Sequence, residues 1–136
     1  MQNLFIDKEE EFTIKFSVAF DEEGKIYCDI TRESLLESFK EKIKDSDIKD
    51  YEAVFRKPSF GDSVKLYESI FSLTQTSDVN FNPLLARCNK ITALIKNWNL
   101  QGEKNKPTEE EIKKLNPIIA TVIGIQVDAE TGSIFG

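Results

Sequence analysis

The chain has 136 residues, of which 40% are hydrophobic and 31% charged, a composition typical of one soluble globular domain with an ordinary hydrophobic core. Its net charge of −6 argues against a nucleic-acid partner, because phosphate binding needs clustered lysine and arginine, and favours a protein partner. No run is apolar and long enough to span a membrane, and Met1–Glu11 lacks the basic start and apolar run of a signal peptide, so we expect an intracellular protein.

The N-terminal part of the chain predicts a β-hairpin. Apolar and polar residues alternate strictly over 12–20, which is the pattern of a strand with one buried face. A turn at 21–24 contains Gly24, and the alternation resumes over 25–30. The aromatic stripe of the first strand fits a binding platform as well as a core face, and we interpret it as core because alternating stripes are usually buried.

A helix and a third strand are predicted next. Thr31 is placed to cap a helix over 34–44, and the lysines near the C-terminal end of that helix would complement its dipole. The short run 51–56 is a candidate third strand, which Pro58 interrupts.

Two further helices follow. Asp62 is placed to cap a helix over 63–73, whose wide apolar face predicts burial. Asn82 is placed to cap an amphipathic helix over 83–98, with Pro83 at its first position. The apolar residues of this second helix recur at helical steps of four, three, four and three, and they end in the only tryptophan: Leu84, Cys88, Ile91, Ile95 and Trp98.

A polar stretch separates this helix from the C-terminal part. Residues 101–107 include a glycine and a proline and lack an apolar anchor, so we expect an exposed, mobile loop. Thr108 and Glu111 have the spacing of a capping box, which predicts a short helix ending at Leu115.

The C-terminal segment is strongly apolar. Asn116 and Pro117 restart or kink the chain into 118–127, which is too apolar for a free surface helix and is therefore core or an interface. We favour core, and we expect a loose tail over 128–136. These elements together predict an α+β fold in a single domain of residues 1–136, with an N-terminal β-hairpin, the candidate third strand and then a small helical bundle.

The residue types needed for catalysis are missing or scattered. Cys28 and Cys88 lie far apart, without a CxxC motif or any histidine, so they form neither a zinc site nor a thiol–imidazole nucleophile and are expected to be reduced core residues. The glutamate runs fall in termini, turns and a helix start, and the glycines form no phosphate-binding loop. We therefore expect no enzyme activity, no metal and no cofactor.

Four features follow one another within residues 54–123. They are Arg56-Lys-Pro-Ser-Phe-Gly-Asp62, the helix closing in Ile95-Lys-Asn-Trp98 with Leu100 behind it, the polar insert with Gly102, and Thr108-Glu-Glu-Glu-Ile112 leading into Leu115-Asn-Pro117. In this order they resemble the tail assembly chaperones of long-tailed bacteriophages.

The resemblance implies a non-catalytic protein of the host cytoplasm that coats the hydrophobic tape-measure protein and keeps it soluble until tail-tube subunits displace it. It makes the tape-measure protein the expected partner, with the tail-tube protein and a second copy of the chain as further candidates. Trp98, Leu100, Ile118 and Val122 are the candidates for client or self contacts, although each also fits a core position. Two alternatives remain: a structural component of the tail or baseplate held by a persistent interface, and an enzyme, which would need a pocket with converging polar groups.

Overall fold

The computed structural model describes residues 10–71 and 83–132, together with Leu4 and Ile6. A 3-10 turn, Asp45–Asp47, lies between the first helix and the third strand. The described residues form four strands and five helices, in the order β1 (Glu11–Phe20), β2 (Ile26–Asp29), α1 (Arg32–Phe39), β3 (Lys49–Arg56), α2 (Phe60–Phe71), α3 (Pro83–Leu94), β4 (Ile95–Trp98), α4 (Glu109–Lys113) and α5 (Pro117–Thr131).

The four strands form one antiparallel sheet in the order β2-β1-β3-β4. Strand β1 is the longest and pairs with β3 from Glu11 opposite Arg56 to Val18 opposite Lys49. The predicted hairpin is confirmed, with Gly24 at a φ of 84° in its turn, and so is the third strand. The fold is α+β, as the sequence predicts, and it contains a fourth strand that the sequence pattern does not predict.

One face of the sheet carries the larger of two hydrophobic clusters. The apolar side chains of β1 meet α3, α5 and the β3–β4 pair there, as their alternation predicts. Its buried members are Ile14, Phe16, Val18, Ala53, Phe55, Ile91, Leu94, Ile95, Trp98, Ile112, Ile123 and Val127.

The opposite face is buried as well, at the end of the sheet covered by α1. Ala19, Tyr27, Leu35, Ile43 and Ile48 form a second cluster there. The prediction of a single buried face for β1 is therefore wrong at its C-terminal end, because α1 packs on side chains that alternation assigns to solvent.

Helix α1 is shorter than predicted. The Thr31 side chain accepts a hydrogen bond from the Ser34 backbone N–H at 3.0 Å, which confirms the cap. The helix ends at Phe39 because the chain turns there: the N–H groups of Lys42 and Ile43 both donate to the Phe39 carbonyl, at 2.8 and 3.1 Å. This turn carries Ile43 into the second cluster and leaves the last two lysines of the predicted helix beyond its end, so they do not complement its dipole.

Helix α2 begins earlier than predicted, and Asp62 lies in its first turn instead of capping it. Ser59 is the cap: its hydroxyl accepts from the Asp62 N–H at 3.2 Å, and the Asp62 carboxylate accepts from the Ser59 N–H at 2.9 Å. Arg56 donates to the same carboxylate at 2.6 Å and so connects the end of β3 to the start of α2. The end of the predicted helix at 73 and the polar link 74–80 lie outside the described residues.

The predicted helix over 83–98 ends at Leu94, and its last four residues are strand β4. Pro83 begins α3 as expected, whereas the proposed cap, Asn82, lies outside the described residues. In β4, Ile95 pairs with Phe55 and Trp98 with Ala53, across a register shift that lets both reach the large cluster. A bulged strand thus places residues three apart on one face, a spacing that a helix also uses, and the pattern could not separate the two.

The stretch 101–107 is mostly exposed, as predicted, but it does have an anchor at its C-terminal end, where Pro107 is buried. Nearby, Trp98 and Asn105 exchange two backbone hydrogen bonds of 2.9 Å. The following capping box of Thr108 and Glu111 is confirmed, although α4 ends at Lys113 and not at Leu115.

Helix α5 is longer than predicted because the polar residues after Val127 continue it to Thr131. Asn116 caps it through a 2.9 Å hydrogen bond from the Ile118 N–H, and Pro117 occupies its first turn. The predicted tail is therefore wrong up to Thr131, and residues 133–136 lie outside the described part of the chain. Ile123 and Val127 are buried, so the core assignment holds for one side of the helix.

Candidate protein-binding site

An apolar groove of about 330 Å³ opens on the larger-cluster face of the sheet, beside the junction of α4 and α5. We call it the sheet groove. Phe16, Val18 and Trp98 are at most 5% exposed and lie at its base, whereas Phe20 is 55% exposed and lies nearer its mouth. The other apolar side chains that line it are Tyr51, Leu100, Leu115 and Ile119, and the polar ones are Gln101, Glu111, Lys114 and Asn116.

A hydrogen-bonded chain of polar groups borders the sheet groove. The Trp98 indole N–H donates to the Gln101 side-chain oxygen at 3.2 Å, and the Gln101 amide donates in turn to the Glu111 carboxylate. The second oxygen of Glu111 accepts from the Thr108 backbone N–H at 3.0 Å. These bonds, from Thr108 first and from Gln101 second, lower the pKa of Glu111 below its usual value.

The consequence for binding is that the sheet groove offers shape and apolar surface more than free hydrogen-bonding groups. Glu111 stays ionised and paired, and the indole of Trp98 is satisfied within the chain. An apolar side chain that enters the groove would leave none of these groups without a hydrogen bond. Binding there would therefore carry little of the free-energy cost of an unpaired polar atom.

The four residues singled out from the sequence lie at different depths. Trp98 is 3% exposed and belongs to the larger cluster, so a partner does not reach it without a rearrangement. Leu100 is partly buried and lines the groove, while Val122 is partly buried against the cluster without lining the groove. Ile118 is 43% exposed on α5. The structure thus brings Trp98 and Leu100 together at the groove and places Ile118 and Val122 on the helix beside it.

Most of the groove residues are not predicted as site residues by the sequence, among them Phe20, Tyr51 and Ile119. A signal existed for Phe20, since it is the last member of an alternating stripe and strand ends are less covered than strand centres. Tyr51 and Ile119 come from β3 and α5, and only the tertiary fold brings them together.

In the described part of the chain, no group of three or more histidine, cysteine, aspartate or glutamate side chains is placed to hold a metal. Burial and the neighbouring Asp29 raise the pKa of Cys28 to about 12, which keeps its thiol protonated and unreactive at neutral pH. Two larger depressions, of about 580 and 490 Å³, are lined mainly by polar and charged side chains near α1.

Comparison with known proteins assigns no relative. The chain matches no family model, no curated protein and no solved structure. Among the described residues, no helix has the length and apolarity that a membrane crossing requires.

Proposed function

We propose that this protein is a non-catalytic tail assembly chaperone of a long-tailed bacteriophage, which binds the tape-measure protein in the host cytoplasm and keeps it soluble during tail assembly. The observation that carries the proposal is the sheet groove, an open apolar site in which the side chains of Trp98, Gln101 and Glu111 are already hydrogen-bonded within the chain. The order of motifs from Arg56 to Pro117 resembles that of such chaperones, and this resemblance is the reason for proposing the tape-measure protein as the client.

The chemistry of the sheet groove suits a client that is rich in apolar helices. One helix side chain, or a few in a row, can insert between Phe20, Leu100 and Ile119 without displacing the hydrogen bonds of Gln101. The groove is small compared with a stable interface of about 800 Å² per partner, so single contacts exchange readily. An exchangeable contact fits a protein that tail-tube subunits later displace.

The charge of the chain supports the same role. A net charge of −6 keeps a complex with an apolar client soluble, because like-charged complexes repel one another. The proposal requires no metal, cofactor or nucleic acid.

Co-expression with the tape-measure protein encoded in the same genome tests the proposal. We expect the wild-type chain to move the client into the soluble fraction, and Phe20→Gln or Leu100→Gln to weaken this by roughly tenfold, since each removes apolar surface without changing charge. Phe60→Gln is the matched control, because Phe60 is 86% exposed and lies outside the groove.

The outcomes separate the alternatives. If the wild-type chain leaves client solubility unchanged, the chaperone proposal fails. If Phe60→Gln impairs solubility as much as Phe20→Gln, the groove is not the client site. Stoichiometric recovery of the chain in purified particles would favour a structural tail or baseplate component, since a chaperone is absent from the finished virion.

A further inference from the structure

Helix α5 is apolar on two opposite sides. Ile123 and Val127, both 1% exposed, face the sheet, where α5 packs on β1 and β2. Ile118 is half-exposed, and the two and a half turns between it and Val127 put the two side chains on opposite sides of the helix. Ile125, at 52% exposed, lies on the outward side with Ile118.

We call this outward side the outer stripe, and it consists of the exposed Ile118, Ile125 and Ala129 together with Val122, which is partly buried against the larger cluster. A helix that is apolar all round is normally covered on both sides, so the outer stripe calls for a partner. We propose that the outer stripe is a contact surface for a second copy of this chain, with the two α5 helices packed antiparallel about a two-fold axis.

The spacing of the outer stripe is self-complementary. Its members follow one another at steps of four, three and four residues, the a and d spacing of a helix–helix seam. In an antiparallel pair whose axis passes between 123 and 124, Ile118 meets Ala129 of the other copy and Val122 meets Ile125. Each layer then joins a larger side chain to a smaller one, which is how facing layers interdigitate.

Charge selects the antiparallel arrangement. Thr121 and Gln126, which flank the middle of the outer stripe, are uncharged, and the flanking Asp128 is already paired with Lys90, so two acidic chains approach there with little direct repulsion. The exposed Lys114 precedes α5, and the exposed Glu130 lies in its last turn. Antiparallel packing brings Lys114 of one copy towards Glu130 of the other and opposes the helix dipoles, whereas parallel packing would bring like helix ends together.

The area of the outer stripe predicts weak association. Full burial of an isoleucine removes on the order of 100 Å² of apolar surface, and the two isoleucines here are about half-exposed. The stripe therefore supplies far less than the roughly 800 Å² per partner of a stable interface. The pair should form at high local concentration, as when several copies line one client, and dissociate on dilution.

Sedimentation velocity of the full chain tests the pair, over concentrations from about 5 µM to about 1 mM. We expect a reversible rise in mean mass with concentration, and Ile125→Glu should weaken association at least tenfold, because it places a charge in the seam. Ile30→Glu is the matched control: Ile30 is 48% exposed and lies outside α5, so it should associate as the wild type does.

A complementary pair of variants tests the register. Ile118→Glu and Ala129→Lys each suit the dipole at their own end of α5 and should fold, which circular dichroism checks. Each alone should associate less than the wild type. Their mixture should recover association, because the introduced carboxylate of one copy meets the introduced ammonium group of the other.

Three results would overturn the inference. The proposed pair is refuted if the wild-type chain stays monomeric up to about 1 mM. It is also refuted if the Ile125→Glu variant associates as strongly as the Ile30→Glu variant. A mixture of the complementary variants that stays as weak as either alone excludes the antiparallel register. None of these results depends on the identity of the client.

Discussion

Lys90 carries the most deeply buried charge of the described residues, and its pairing predicts an asymmetric response to mutation. Only 6% of its side chain is exposed, and its ammonium group donates to the Asp128 carboxylate at 2.9 Å and to the Gly132 carbonyl at 2.6 Å. Asp128, by contrast, has 39% of its side chain exposed. If Lys90 is removed, water can therefore hydrate the Asp128 carboxylate, whereas if Asp128 is removed, water reaches the Lys90 ammonium group poorly.

Asp128→Ala should cost about 3 kcal/mol of unfolding free energy, because it leaves a buried ammonium with one carbonyl as its partner. Lys90→Met should cost only about 1 kcal/mol, since methionine fills the space and water reaches the remaining carboxylate. The double variant should resemble Lys90→Met alone, because no charge is then left buried.

Equilibrium urea unfolding of the three variants measures these differences, with an unchanged m-value as the condition for comparing midpoints. Lys113→Met is the control, since its pair with Glu109 has 58% and 61% of the side chains exposed and should contribute less than about 0.5 kcal/mol. An acidic residue near the C-terminal end of a helix is by itself unfavourable, so without the buried pair Asp128→Ala would be neutral or stabilising. That result, or a larger loss for Lys90→Met than for Asp128→Ala, would refute the reasoning.

Three further predictions concern single side chains. The Arg56 guanidinium and the Ser59 N–H hold the pKa of Asp62 well below its unperturbed value of 3.8, so the ionised carboxylate stabilises the fold above pH 3.8. The unfolding free energy of Asp62→Asn should therefore be roughly 1 kcal/mol below that of the wild type at neutral pH, and this difference should shrink as the pH falls below 3.8. A difference that grows in acid would contradict this. Thr108→Ala should lower the unfolding free energy by about 1 kcal/mol through loss of the capping box, measured by thermal unfolding, and Thr108→Ser should retain most of it. Cys28, with its pKa of about 12, should react with a thiol reagent at pH 8 far more slowly than in the urea-unfolded chain, and equal rates would show that it is not shielded.

Local patterns predicted the elements whose cause is local. The hairpin follows from alternation and Gly24, and the caps at Thr31 and Thr108 follow from a hydroxyl side chain placed before a helix. The errors arose where a distant partner decides the outcome. Strand β4 exists because β3 offers it an edge, and the Glu52 N–H bonds to the Asn99 side chain at 2.9 Å across 47 positions of sequence.

The candidate site was predictable in part for the same reason. Leu100 was singled out and does line the sheet groove, whereas Trp98 proved to be its buried base. Phe20 reaches the groove from the far end of β1, and its exposure depends on how far the neighbouring elements extend. Alternation shows which side of a strand is apolar, but not where the covering layer stops.

The two clusters on opposite faces of the sheet also differ in how much of the chain must be synthesised before their side chains can pack together. The second cluster uses residues between Ala19 and Ile48, so it can assemble once the first third of the chain has left the ribosome. The larger cluster joins Ile14 to Val127 and must wait for nearly the whole chain. During synthesis, the C-terminal end of β1 can therefore be covered on one face while the other face, with Phe16 and Val18, stays exposed until α5 arrives. The nascent chain is for that interval itself an aggregation-prone protein, protected on one side only.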